Sequence, residues 1–345
     1  MNHEQGHVFG IRTDIAVRRR VLLCMLQSML IGYPHELPRL NKPNALKLCL
    51  HHQVRTNVKD HSLLKSFAHA DLLKADLADQ VRRALGEDIG GGDITAALIG
   101  AETTAHAVVI TRDDGVFCGA PWVDAVCAAM DTQIESTLHA HDGADVAANQ
   151  VLFEINGDAR ALVTLERTLL NFVQLLCGTA TTTRRFANLI DSLPTRLLDT
   201  RKTVPGLRLA QKYAVHCGGG HNHRLGLFDA YLIKENHLSA AGGIACAVRS
   251  ARRAHPELTV EVEVESLDEL QAAIAAGAQI ALLDNFSMED TRRAVELADG
   301  RIELEASGDI TEETIAEIAA TGVDYISSGA ITKQVMPLDL SMRFS

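Results

Sequence analysis

No C-x-x-C pair, no G-x-G-x-x-G turn and no apolar run long enough to cross a bilayer occur anywhere in the 345 residues. The missing C-x-x-C spacing, together with an odd count of seven scattered cysteines, argues against a disulfide framework and a structural zinc site, and favours free thiols in a reducing cytosol. The missing glycine fingerprint removes the usual opening of a dinucleotide-binding sheet. The one N-terminal apolar stretch, Val21 to Ile31 after Arg18-Arg19-Arg20, is interrupted by Gln27 and Ser28 and has no A-x-A-like site close behind it. That speaks against both a membrane span and a signal peptide.

Positive charge is also scarce. The chain has 33 Lys and Arg against 44 Asp and Glu, a formal net charge of −11, so it lacks the basic face that a nucleic-acid or anionic-membrane protein needs. The deficit is uneven, because residues 1–65 carry a balance of +6 and the remainder −17. Residues 1–69 also lack sustained periodicity and are set apart as an N-terminal extension. Aromatic residues make up only 4%, but hydrophobic residues reach 47%, enough for a sizeable core.

From Asp71 the pattern is regular. Leu72, Leu73, Ala75, Leu77, Val81 and Leu85 recur at helical spacing and stop at Gly86. Alternating stretches at Ala105 to Thr111, Gly115 to Gly119 and Gln150 to Ile155, with a helix at Trp122 to Met130, predict a small α+β domain with an antiparallel sheet. Two helices follow, from about Ala161 to Leu176 and from Gly178 to about Leu193, jointed near Cys177-Gly178. Beyond them six short apolar strands ending in polar residues alternate with helical stretches. This is the mark of β-α units building a parallel barrel, whose chemistry gathers at the strand ends. The expected fold is α/β: residues 70–178 form a small N-terminal α/β sandwich domain, 179–333 an incomplete barrel, and 334–345 a C-terminal tail.

Charge concentrates at those strand ends. Arg201 and Lys202 follow one strand, Arg224 leaves the turn Gly218-Gly219-Gly220, and Lys234 closes the next strand. Four cations on one face of an acidic protein suit an anion, with Arg offering a planar fork to carboxylate or phosphate and Lys a compact charge. The three glycines fit equally a helix C-cap or a close backbone approach to ligand. His216, Cys217, His221 and His223 lack the spacing of a zinc site. Val260 to Glu265 alternates strictly, so its glutamates face either the barrel interior or water. Asp284, ending a wholly apolar strand, favours the interior, where neighbouring acids suit ribose hydroxyls or a hydrated Mg²⁺. Ser307-Gly308 and Ser327-Ser328-Gly329-Ala330 close the last two strands, where barrel enzymes often hold phosphate.

Seven separated motifs stand in one order: Glu166-Arg167 with Leu170-Asn171-Phe172, Asp199 to Gly206, Gly218 to Gly226, Leu232 to His237, Val260 to Glu265, Leu282 to Phe286, and Ser328 to Thr332. With Glu87-Asp88 and Asp93-Ile94-Thr95 ahead of them, they resemble the quinolinate phosphoribosyltransferase family from about Asp71 to Phe344. Residues 1–69 fall outside the resemblance, and the Gly90-Gly91-Gly92 segment is shorter than in some relatives. The resemblance implies a small sandwich domain and a barrel of about seven strands. It also implies a cytoplasmic homodimer or higher homo-oligomer with shared active sites, and Mg²⁺-dependent joining of quinolinate to phosphoribosyl pyrophosphate with loss of carbon dioxide. By motif, Arg201, His223, Arg224 and Lys234 bind quinolinate together with Arg167 of the partner subunit. Lys202 serves the pyrophosphate, Glu263 and Asp284 the ribose and metal, and Ser307, Gly308, Ser328 and Gly329 the 5′-phosphate. Two rivals are a related phosphoribosyltransferase acting on another pyridine acid and a barrel aldolase with Lys234 as a Schiff-base amine.

Overall fold

Helix α1 (Ser62–Ser66) and helix α2 (Ala70–Ile89) open the computed structural model, which describes residues 62–345. Most of the basic segment, including the apolar stretch at 21–31, lies outside the described residues. Its last residues were set apart with the extension, but they pack inward: Leu64 and Phe67 are buried, and the Phe67 ring meets Tyr213 edge-on at 5.5 Å. Helix α2 passes straight through Gly86 and ends at Gly90, whose φ of 53° closes the last turn.

The small domain continues with β1 (Thr104–Thr111), β2 (Gly115–Val116), α3 (Ala120–Ala128), β3 (Ile134–Leu138), β4 (Asp145–Val146) and β5 (Val151–Asp158). Strand β1 is rich in β-branched residues and sends Ala107 and Val109 into the core. Helix α3 covers the sheet with Trp122 and Val123 fully buried. The Trp122 indole N–H finds a partner in Gln80 at 3.1 Å, which lets the ring sit in the core. Cys118 and Cys177 lie here too, and burial pushes both thiols up, so they pack as small protonated groups.

A single helix of 30 residues, α4 (Ala159–Asn188), joins this domain to the barrel. The sequence suggests a joint at Gly178, but the helix runs on without one. Gly178 is instead a crossing point: a Cβ there would lie 2.2 Å from the Met336 carbonyl oxygen and 3.0 Å from Pro337 Cα. The returning chain is held by the Leu338 N–H donating to the Gln174 carbonyl at 3.1 Å.

The barrel is built from β6 (Arg196–Leu198), α5 (Arg208–Cys217), β7 (Tyr231–Ile233), α6 (Glu235–Ala241), α7 (Ile244–Ala254), β8 (Val260–Val264), α8 (Leu267–Ala276), β9 (Ile280–Asp284), α9 (Met288–Ala298), β10 (Glu303–Ser307), α10 (Ile315–Ala319), β11 (Tyr325–Ser327) and α11 (Ala330–Lys333). Its six strands are parallel in the order β6-β11-β10-β9-β8-β7, and an isolated parallel bridge from Leu198 to His221 extends the β6 edge. Side-chain caps start two of the outer helices. Ser266 accepts from the Glu269 N–H and Ser287 from the Asp290 N–H. Val260, Val262 and Val264 are fully buried against the helices, which turns Glu261 and Glu263 into the lumen. Among the described residues no helix is long and apolar enough to cross a membrane.

The end of the chain is not a free tail. Strand β12 (Leu340–Phe344) pairs antiparallel with β1, giving the small domain a sheet in the order β12-β1-β5-β3. Leu340 and Met342 fill its core, so the chain leaves the barrel, crosses α4 at Gly178 and closes the domain it began with. Gly178→Ala forces a methyl onto a backbone carbonyl that cannot swing aside. It should lower stability by about 1–3 kcal/mol, read as a fall of several degrees in a thermal melt. An unchanged melting temperature would contradict the close crossing.

Candidate active site at the barrel mouth

Strand ends converge on a cavity of about 370 Å³. The loop after β6 brings Thr200, Arg201 and Lys202, and the segment before β7 brings His223 and Arg224. Lys234 follows β7, and Glu263, Asp284 and Ser307 stand in the last residues of β8, β9 and β10. Most of the site residues expected from sequence therefore share one wall-to-wall space, as strand ends of a parallel barrel dictate.

Its electrostatics are unbalanced. Burial, and then the charge of Arg201 beside it, pull the Arg224 guanidinium down from its ordinary value. The Arg201 Nε is buried and has no hydrogen-bond partner among the described residues. A buried donor left unmade and two guanidiniums that repel one another are both relieved by a planar anion that takes the fork of each. Lys234 is paired with Glu263 across neighbouring strand ends, and Asp284 stands at the end of the next strand. These two carboxylates offer the hard oxygen donors that Mg²⁺ accepts, so the residues fit that ion.

Beneath the cations lies a second layer. The inward positions of β8 and β10 place Glu261 and Glu305 against His223, whose Nε2 is 3.0 Å from Glu261 Oε2 and 3.5 Å from Glu305 Oε2. His223 Nδ1 accepts the Arg224 N–H at 2.7 Å, so both ring nitrogens face the protein. Burial, reinforced by the Glu261 charge and opposed by His223, pushes the Glu305 carboxyl up to about 8. Among the described residues the one group of three acid or His side chains close enough to share an ion is His223, Glu261 and Glu305, not the pair Glu263 and Asp284. Glu261 and Glu305 were not singled out as site residues in the sequence. The alternation of β8 and of Glu303-Leu304-Glu305 in β10 was the available signal.

Other expectations separate. Arg167 lies exposed on α4 in a different cavity of about 410 Å³, with Arg83, Asp88, Asn171 and the 205–207 turn, and does not line the barrel mouth of its own chain. The glycines 218–220 face α4 rather than the cavity. A Cβ on Gly218 would lie 2.5 Å from the Ala180 carbonyl and one on Gly220 2.8 Å from Thr183 Cγ2, while Gly219, at a φ of +91°, turns the chain just after Gly218 caps α5, so close packing and the helix cap explain the three. Gly308, at a φ of +105°, packs under Asn285, and Gly329 under Lys202, where a Cβ would come within 2.8 Å of Cδ. Ser328 donates its backbone N–H to the Leu198 carbonyl at 3.1 Å and is buried.

Two family models match the chain: the C-terminal domain of quinolinate phosphoribosyl transferase over residues 179–343, and the N-terminal domain over residues 93–177. A probable nicotinate-nucleotide pyrophosphorylase [carboxylating] of Bacillus subtilis is 42% identical over 257 residues, covering 74% of this chain and 89% of the relative. The nicotinate-nucleotide pyrophosphorylase [carboxylating] of Mycobacterium leprae is 42% identical over 274 residues, covering 76% and 95%. Among solved structures, the nicotinate-nucleotide pyrophosphorylase of Francisella tularensis superposes with a TM-score of 0.75 at 50% identity, over 79% of this chain and 96% of that one.

The raised Glu305 carboxyl gives stability a pH dependence of known sign. The neutral form is favoured in the fold, so its contribution is fully present below the ordinary value of 4.5 and is lost as pH rises through about 8. Glu305→Gln lacks this titration. The melting temperature of the parent protein minus that of Glu305→Gln should therefore fall between about pH 5 and about pH 9. A constant difference would show that Glu305 is ionised throughout.

Proposed function

The chain belongs to the quinolinate phosphoribosyltransferase family, and from that premise we propose that the barrel mouth joins quinolinate to phosphoribosyl pyrophosphate, giving nicotinate mononucleotide, carbon dioxide and pyrophosphate. The enzyme is a pentosyltransferase of NAD biosynthesis. The observation that carries the assignment of the site is the pair Arg201 and Arg224, held side by side with an unmet buried donor, in one cavity with Lys202, Lys234 and two strand-end carboxylates.

In this scheme Arg201, Arg224 and Lys234 take the quinolinate carboxylates, and His223, its nitrogens turned to the protein, backs Arg224 from below. The ring nitrogen then faces C1 of the ribose. As the N–C1 bond forms, the C1–O bond breaks and its electron pair leaves with pyrophosphate, whose charge Lys202 offsets. Glu263 and Asp284 would hold the ribose hydroxyls and a Mg²⁺, which when bound would neutralise charge on the leaving phosphates. Two strand-end turns, at Ser307-Gly308 and at Ser328-Gly329, are assigned to the 5′-phosphate, and of these residues Ser307 lines the cavity itself. The ring nitrogen is now positive. The carboxylate on the adjacent carbon departs as carbon dioxide, and its bonding pair is stabilised on that carbon by the neighbouring cation until a proton replaces it. The other carboxylate stays in its arginine fork, which holds the ring still while water is kept out.

Arg167 lines a different cavity of its own chain, which supports a homodimer in which it reaches the other subunit's substrate. The buried protonated thiols suit a reducing cytoplasm. The test uses Arg167→Ala and Lys234→Ala, each expected to be nearly inactive with quinolinate, phosphoribosyl pyrophosphate and Mg²⁺. A hybrid dimer of the two has one site with both side chains intact and one with neither, so turnover should return at half of the sites and vanish in chelator. A verified hybrid with no recovery would overturn the shared site, and full activity in chelator would overturn the metal.

A further inference from the structure

Helix α5 turns a polar face into the protein just behind the barrel mouth. Lys212 is fully buried on it and lines no part of the mouth cavity. Its Nζ lies 2.5 Å from Asp199 Oδ1 and 2.8 Å from the His223 carbonyl oxygen. Asp199 Oδ1 in turn accepts the His223 N–H at 2.9 Å. Asn222 Nδ2 closes the figure by donating to Asp199 Oδ2 at 2.7 Å and to the Lys212 carbonyl at 2.9 Å.

Both main-chain polar groups of His223 are thus tied to one buried ion pair. The next residue is Arg224, whose N–H is received by the His223 ring. Burying two ions is expensive, and a well-packed apolar pair of similar volume is often as stable or more so. A buried ion pair that spends its remaining hydrogen bonds on Asn222 and His223, two adjacent residues of the substrate-facing segment, therefore has a use other than holding up the core.

We infer that Lys212 and Asp199 are positioning residues, which fix the His223 backbone and through it aim the Arg224 guanidinium at the substrate carboxylate. The inference rests on the proposed binding of quinolinate by Arg224. Among the described residues no hydrogen bond of the pair reaches the ends of β8, β9 or β10, so loosening it disturbs the carboxylate side of the mouth and spares the ribose side.

Lys212→Met tests this directly, and Lys212→Met with Asp199→Asn avoids leaving a lone buried charge. Asn222→Ala, at a half-buried position, loosens the turn while leaving both ions in place. In each variant that gives a cooperative melt, KM for quinolinate should rise by about tenfold or more, the loss of one well-aimed contact. KM for phosphoribosyl pyrophosphate should stay within about twofold. Hydrogen–deuterium exchange in the 218–226 segment should quicken at the same time. A merely structural pair would lower the melting temperature and leave the ratio of the two KM values unchanged. That ratio unchanged in any folded variant, or unchanged exchange in the segment, overturns the inference. A parent enzyme inert toward quinolinate would instead overturn the proposed function, and the exchange measurement would still decide whether Lys212 holds the segment.

Discussion

Arg201 and Arg224 repel each other across a partly buried space, and the charges of Glu261 and Asp229 offset only part of what burial and that repulsion cost Arg224. Each long side chain could swing into water if its backbone allowed it. Arg224 is held at both ends: the Asp199 and Lys212 pair grips the preceding residue, the His223 ring receives its amide, and its guanidinium donates to the Ala230 carbonyl at 3.2 Å. A site that keeps like charges together in the absence of ligand has stored its affinity in advance. An incoming dicarboxylate meets forks already placed, and the ordering cost falls on the folding of the protein and not on binding.

The same economy explains the layers of the barrel. Alternation in β8 sends valines outward into the helices and glutamates inward, so one short strand builds core on one side and site on the other. Upper inward positions, Glu263 with Lys234, meet the substrate space, while lower ones, Glu261 with Glu305, support His223. Small residues near the other strand ends let backbone or a side chain come close, as Gly329 does beneath Lys202 and Gly308 beneath Asn285. The small domain gains its edge strand from the chain end that has just left the barrel, so the two halves are tied by the crossing at Gly178 as well as by α4.

The upper layer was legible in the sequence because charge at the end of an apolar strand is conspicuous: Arg201, Lys202, Arg224, Lys234, Glu263 and Asp284 all lie where the pattern put them. What sat behind them was not. Lys212 occurs inside a helical stretch where a lysine ordinarily points to water, and only the packed fold shows it buried against Asp199. Periodicity also misjudged Gly178, since a glycine that permits a crossing reads the same as one that ends a helix. The closing strand Leu340–Phe344 was invisible as part of the small domain, because its partner β1 lies more than two hundred residues earlier and local pattern carries no trace of so distant a pairing. The glycines 218–220 could be read two ways, and the end of α5 at Gly218, with Gly219 at a positive φ and Gly218 and Gly220 packed against α4, favours the cap and turn.

The central claim is that one cavity both attaches the ribose to the pyridine nitrogen and sheds the carboxylate next to it. Quinolinate labelled with carbon-13 in that carboxylate, supplied with phosphoribosyl pyrophosphate and Mg²⁺, separates this chemistry from phosphoribosyl transfer alone. The account predicts that the label leaves entirely as carbon dioxide, in step with unlabelled nicotinate mononucleotide. Label retained in the mononucleotide, or carbon dioxide released without any mononucleotide, would contradict it.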